Sequence, residues 1–141
     1  MDRVARLEDW YRRVYIDGDF DAVGTLFTDS TRAEGLMDGM QVGPEDIAVF
    51  AMALVHLVEK PRFRIVKAIE SGDWLSALIE CEAERPEDGT PLRVMGQLMA
   101  RFDGESIAEA YNCFDFVSFF EQLGLLPAHT VAIGMSGQQI C

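Results

Sequence analysis

The 141-residue chain predicts an α+β fold: N-terminal helices packed against one face of a curved antiparallel (mixed) sheet. Three observations lead there. Apolar residues recur at helical spacing through the first third of the chain, and the period changes to strand-like alternation after Pro61. Two long alternating runs then flank Asp103-Gly104, a strong hairpin signal. No βαβ alternation, internal repeat or linker interrupts this order. One domain is expected over 1–141, with a core of about 3–127 and a tail at 128–141.

The first helix is read from Val4, Leu7, Tyr11 and Val14, with Trp10 and Tyr15 beside them. Gly18 suits a left-handed helix end, and Asp19 suits the cap of a short second helix carrying Phe20, Val23 and Phe27. Residues 30–36 alternate as a strand would. Gly43-Pro44-Glu45-Asp46 starts a third helix, because proline fits the first turn and acids favour the positive end of the helix dipole. Its apolar face is Ile47, Phe50, Ala51, Leu54 and Val58, and Lys60-Pro61 closes it. Strands follow around Phe63 to Ile69 and Leu75 to Ala83, turning at Ser71-Gly72-Asp73. After a turn over 86–91 come the two long strands, 92–102 and 105–115. A last helix with Phe116, Phe119, Phe120 and Leu123 stops at Gly124. The uncharged tail predicts no element.

Composition narrows the function. A formal net charge of −12, without a Lys/Arg stripe, disfavours nucleic acid and anionic membrane surfaces. The apolar fraction of 49% and nine Phe argue against disorder. The nearly uncharged run 47–58 is too short to span a bilayer, and the N-terminal residues lack the apolar core of a secretory signal. Cys81, Cys113 and Cys141 form no disulfide or redox pattern, so reduced thiols in a cytoplasmic protein are expected. With only His56 and His129 no three-histidine metal site can form, and no metal or cofactor is expected.

The hairpin assigns faces. A two-residue turn at Asp103-Gly104 sets Phe102 opposite Glu105, Leu98 opposite Glu109, Gly96 opposite Tyr111 and Leu92 opposite Asp115. A one-residue slip would exchange the faces. One face then holds Leu92, Val94, Gly96, Leu98, Ala100 and Phe102, together with Ile107, Glu109, Tyr111, Cys113 and Asp115. It is mostly apolar, so its acids suggest a satisfied network or a functional pocket. The other face, with Arg93, Met95, Gln97, Met99 and Arg101 beside Ser106, Ala108, Ala110, Asn112 and Phe114, mixes apolar residues with two Arg, is too apolar for free solvation and predicts a homodimer through the sheet.

Three stretches together resemble the nuclear transport factor 2-like superfamily and, within it, the SnoaL-like polyketide cyclase group. Trp10 through Val23 is similar to the family's first-helix opening, Gly43 through Ile47 to the start of its third helix, and Phe102 through Gly124 to its ending. The resemblance spans about 3–127. It implies a cone-shaped sheet wrapped around the helices, a pocket between them, and dimerisation. It also implies that Asp115 matches the carboxylate used as acid/base in cyclisation. The family's assisting histidine has no counterpart here, Gln97 or Arg101 standing in its place, and a first-strand histidine is replaced by Glu34 or a neighbour.

Each candidate has a structural alternative. Asp115 stands where a helix cap belongs. Tyr111 is a ligand hydrogen-bonder or a core aromatic, and Glu109 a rim group or an Arg partner. Tyr15 and Trp10 line the pocket or the core, and His56 fits a helix end. Met37, Met40, Met52, Met95 and Met99 read as packing or a soft pocket wall. Cys113 reads as an inert thiol on the pocket face, and Glu80, Glu82 and Glu84 as a solvated strand face. The expected function is binding of a small, largely apolar or carbonyl-bearing molecule. Asp115 acts there as a lyase, isomerase or cyclase acid/base. The alternatives are a non-catalytic binding or assembly module of the same fold, or a dimer with a filled cone.

Overall fold

The computed structural model describes residues 2–35 and 42–140, so Met37, Met40 and Cys141 lie outside the described residues. Helix α1 (Arg3–Tyr11) is capped by the Asp2 carboxylate, which accepts from the Ala5 amide at 2.7 Å. The helix then widens into a π-helical turn, Arg12–Ile16, marked by the Asp17 amide donating to the Arg12 carbonyl at 2.9 Å. Charge pairs hold the turn from outside: Arg12 with Asp9 and Asp17, Arg13 with Asp19. Asp19 therefore pairs with Arg13 instead of capping the next element, and that element is a 3₁₀ helix, Phe20–Thr25. Gly18 takes the expected left-handed conformation at φ +70°.

Strand β1 (Phe27–Glu34) begins earlier than its alternation suggests. Helix α2 (Pro44–His56) starts as expected, with the Asp46 carboxylate accepting from the Gly43 amide at 3.0 Å. Strands β2 (Glu59–Ser71), β3 (Trp74–Glu84), β4 (Pro91–Asp103) and β5 (Ser106–Phe114) follow. Helix α3 (Phe116–Gln122) comes next, and a short helix α4 (Thr130–Met135) lies in the tail, where the sequence suggested nothing. Among the described residues the strands form one open sheet in the order β1-β5-β4-β3-β2. Only β1–β5 is parallel. The helices cover one face, and the main core of Leu7, Trp10, Val14, Leu26, Leu75 and Leu98 lies between the layers.

Register decides which strand residues reach that core. On β4 the expected inner residues Leu92, Val94, Leu98, Ala100 and Phe102 are all buried. On β5 the expectation fails beyond Ile107. Phe102 pairs with Ile107, but Arg101 then pairs with Glu109, leaving Ala108 as a bulge. The slip turns Ala110, Asn112 and Phe114 toward the helices and Glu109, Tyr111 and Cys113 outward, the reverse of the sequence reading. Tyr111 faces Met99, not Gly96. The cause lies on β1: the Ile107 amide donates to the Leu26 carbonyl at 2.8 Å, and the Thr31 hydroxyl donates to the Ile107 carbonyl at 2.5 Å. Both main-chain groups of Ile107 are drawn to the parallel neighbour, so β5 yields one residue of its β4 ladder.

The outer face differs from expectation too. Glu80 is only 5% exposed, clamped between Arg64 and Arg93, while Glu82 pairs with Arg62 and Glu84 with Lys60. Met52 and Met99 are exposed and do not pack in the core.

Candidate functional site: an aromatic cavity between sheet and helices

A cavity of about 70 Å³ opens between α1, α2, α3 and the inner sheet face. One wall is a cluster of rings. Tyr11 stacks on Phe63 with centroids 5.1 Å apart, Tyr15 lies 4.8 Å from Phe63, and Tyr11 and Tyr15 stack at 5.9 Å. The two tyrosines are four residues apart, and the π-helical turn begins between them. This local widening keeps both on the cavity side. Phe50 and Leu54 of α2, with Phe114 and Phe119, make the opposite wall, and Ile79, Cys81 and Val94 the floor. Gly96 belongs there because a Cβ would stand 3.2 Å from Phe114 Cδ2, so its missing side chain is the space Phe114 occupies.

The polar groups are few. Neither the Tyr11 nor the Tyr15 hydroxyl has a protein hydrogen-bond partner among the described residues. No buried side-chain nitrogen or oxygen there is left unpaired, and both tyrosines line the cavity. Burial, reinforced by Tyr15 and Cys81, pushes Tyr11 well above the ordinary tyrosine range. Burial, with Cys81 nearby, raises Tyr15 as well. Burial and the neighbouring Glu80 push the Cys81 thiol up to about 12, so it stays protonated. The Asn112 amide is held by the Glu34 carbonyl at 3.1 Å. Glu82 and Cys113 border the cavity from strand positions whose side chains follow the outer face, Glu82 reaching Arg62 there.

Of the candidate catalytic and ligand-binding residues Trp10, Tyr15, Glu34, His56, Glu109, Tyr111 and Asp115, only Tyr15 lines this cavity, while Gln97 and Cys113, also noted in the sequence, stand at its border. Trp10 is buried behind it, edge-on to Tyr11, its indole donating to the Val23 carbonyl at 3.3 Å. Asp115 is exposed, and its Oδ1 accepts from the Ser118 amide at 3.0 Å, capping α3. Tyr111 is 43% exposed and donates to Glu109 at 2.9 Å; Arg101 also binds Glu109 at 2.8 Å. Those two bonds hold the Glu109 carboxyl below its ordinary range, and Glu109 in turn raises Tyr111. Glu34 ends β1 opposite Tyr111, and exposed His56 ends α2. Cys113 is exposed rather than buried. Sequence reasoning missed Tyr11, Phe63, Cys81 and Phe114 as site residues. The i, i+4 pair Tyr11/Tyr15 was the available signal. Among the described residues no cluster of His, Cys, Asp and Glu is arranged to hold a metal, and no helix is long and apolar enough to cross a membrane.

The SnoaL-like domain model matches residues 7–110, most of the helical layer and nearly all of the sheet. The chain belongs to the SnoaL-like family. Solved structures share the SnoaL-like fold at low identity. TsrD from Streptomyces laurentii superposes with a TM-score of 0.72 at 18% identity, covering 89% of this chain and 99% of its own. A polyketide cyclase candidate from Acidithiobacillus ferrooxidans gives 0.72 at 17% identity, covering 85% and 92%. A protein with a ketosteroid isomerase-like fold from Catenulispora acidiphila, solved with trimethylamine, gives 0.68 at 22% identity, covering 83% and 91%. No curated protein matches the sequence.

Proposed function

We infer that this SnoaL-like domain binds a small, largely apolar molecule bearing a hydrogen-bond-accepting oxygen, in the cavity between helices and sheet. The observation that carries the reading is the pair Tyr11 and Tyr15, which line an aromatic cavity and whose hydroxyls have no protein partner among the described residues. A phenol kept neutral by burial is a donor, not a base. The cavity's size argues for a modest ligand. At about 70 Å³ it is far below the roughly 300–1,000 Å³ of drug-sized pockets. It holds one small molecule, or one end of a larger one reaching out through the mouth. The trimethylamine bound by the Catenulispora neighbour supports a small occupant for this fold.

Titration with acetophenone and with ethylbenzene, its counterpart without the oxygen, tests the reading. The ketone is expected to bind about tenfold more tightly, the worth of one or two neutral hydrogen bonds. Replacing both tyrosines by Phe is expected to erase that difference. Equal affinities in the native chain overturn the reading. A catalytic version rests on one further observation: the α3 cap engages only Oδ1 of Asp115, leaving Oδ2 without a partner among the described residues. In that version Asp115, next to the cavity-lining Phe114, takes the proton beside a carbonyl polarised by the phenols. Hydrogen exchange at the acetophenone methyl group, abolished by Asp115→Asn while binding persists, is its signature. The exposed apolar side chains of the outer sheet face, Ile69, Met99 and Tyr111, support a second copy of the chain as the partner there.

A further inference from the structure

Resting on that ligand-binding reading, we propose that the cavity rejects anions, so that a carboxylic acid enters only in its protonated form. No Lys, Arg or His lines the cavity among the described residues. Its titratable groups are the phenols of Tyr11 and Tyr15 and the thiol of Cys81, with Glu82 and Cys113 at its border. Helices α2 and α3 and strands β2 and β4 contribute none. Every one of these groups titrates between neutral and negative, so none supplies positive charge at any pH. Arg62, beside the cavity-lining Pro61 and Phe63 in sequence, pairs with Glu82 on the outer face at 3.0 Å. The amino end of α3 already holds the carboxylate of Asp115.

Two phenols offer two donors, whereas a carboxylate carries about four lone-pair sites that water would otherwise satisfy. An anion would therefore enter this apolar space with half its hydrogen bonds unmade and no counter-charge. The chain's charge of −12 opposes it at longer range as well. A neutral carbonyl or hydroxyl compound meets none of these costs. The ligands selected are thus uncharged, a restriction absent from fold or family membership.

The test compares benzoic acid with acetophenone by calorimetric titration of the native chain, with amide shifts at Gly96 and Cys81 locating the bound probe. Between about pH 5.5 and 7.5 the apparent affinity for total benzoic acid is expected to fall about tenfold per pH unit, following its protonated fraction. Acetophenone affinity is expected to stay level over the same range, which controls for any titration of the protein. Benzoate affinity that is level with pH, or equal to that of the ketone at the upper end, overturns the charge restriction while leaving ligand binding standing. If acetophenone fails to bind or shifts residues elsewhere, the binding reading fails and the restriction falls with it.

Discussion

Gly35 has the tightest steric demand in the chain. Its φ is +89°, and a Cβ would stand 1.9 Å from the Asn112 carbonyl oxygen, inside the β1–β5 contact. Gly35→Ala combines left-handed strain with a main-chain clash, so a loss of about 3 kcal/mol or more is expected in urea unfolding. Cys81 makes a different residue-level demand. Burial raises its pKa to about 12, above the 9.0 of an ordinary thiol, so between those values the unfolded chain has lost a proton that the native state keeps. Stability contributed by this group is complete below about pH 9 and drains as pH rises, at about 1.4 kcal/mol per pH unit. Burial of Tyr11 and Tyr15 adds loss of the same sign at higher pH. Urea midpoints from neutral pH to about pH 11 should fall more gently in Cys81→Ala than in the native chain. At this scale the sequence was partly legible. Tyr15 was found from helical spacing, and the capping role of Asp115 from its position before an apolar run. The partnerless phenols were not, because what a hydroxyl lacks is defined by everything around it.

The bulge at Ala108 is an element-scale event with consequences for every site residue on β5. Thr31 is its clasp. The hydroxyl donates to the Ile107 carbonyl and accepts from the Thr28 amide at 2.9 Å, knitting the irregular stretch of β1 to the irregular stretch of β5. Thr31→Val keeps the shape and removes both bonds, leaving a buried carbonyl with one partner fewer. A loss of about 1–3 kcal/mol is expected, with faster amide exchange concentrated at Ile107 and Ala108. The hairpin's location and the shared face of Phe102 and Ile107 were readable, but the turn is Gly104-Glu105, one residue later than the expected Asp103-Gly104: Asp103 pairs with Ser106, and Phe102 faces Ile107 in place of Glu105. Its continuation was not, because β4 and β5 alternate equally well in either register. The decision came from a strand some seventy residues upstream.

For the whole molecule, the question is what covers the outer sheet face. Five strands present Ile69, Met99 and Tyr111 to solvent beside a ladder of Glu80, Glu82 and Glu84 with their basic partners. If a second copy docks there, Met99→Glu should convert a dimer to a monomer in light scattering while leaving thermal unfolding of the isolated fold nearly unchanged, since Met99 is 48% exposed. A native chain that is monomeric at all accessible concentrations overturns that docking.

The amino-acid sequence by itself determined the order and kind of most elements, the inner face of β4, the helix start at Gly43, and the family. Each of these is written in contacts between residues a few positions apart: caps, turns and periodicity. Tertiary structure alone decided the face of β5, the burial of Glu80, and which aromatic residues enclose the cavity. The physical reason is that strand alternation has a period of two and survives a slip unchanged in pattern. Only hydrogen bonds to a distant parallel strand distinguish one register from the other, and with it the inside of the site from the outside.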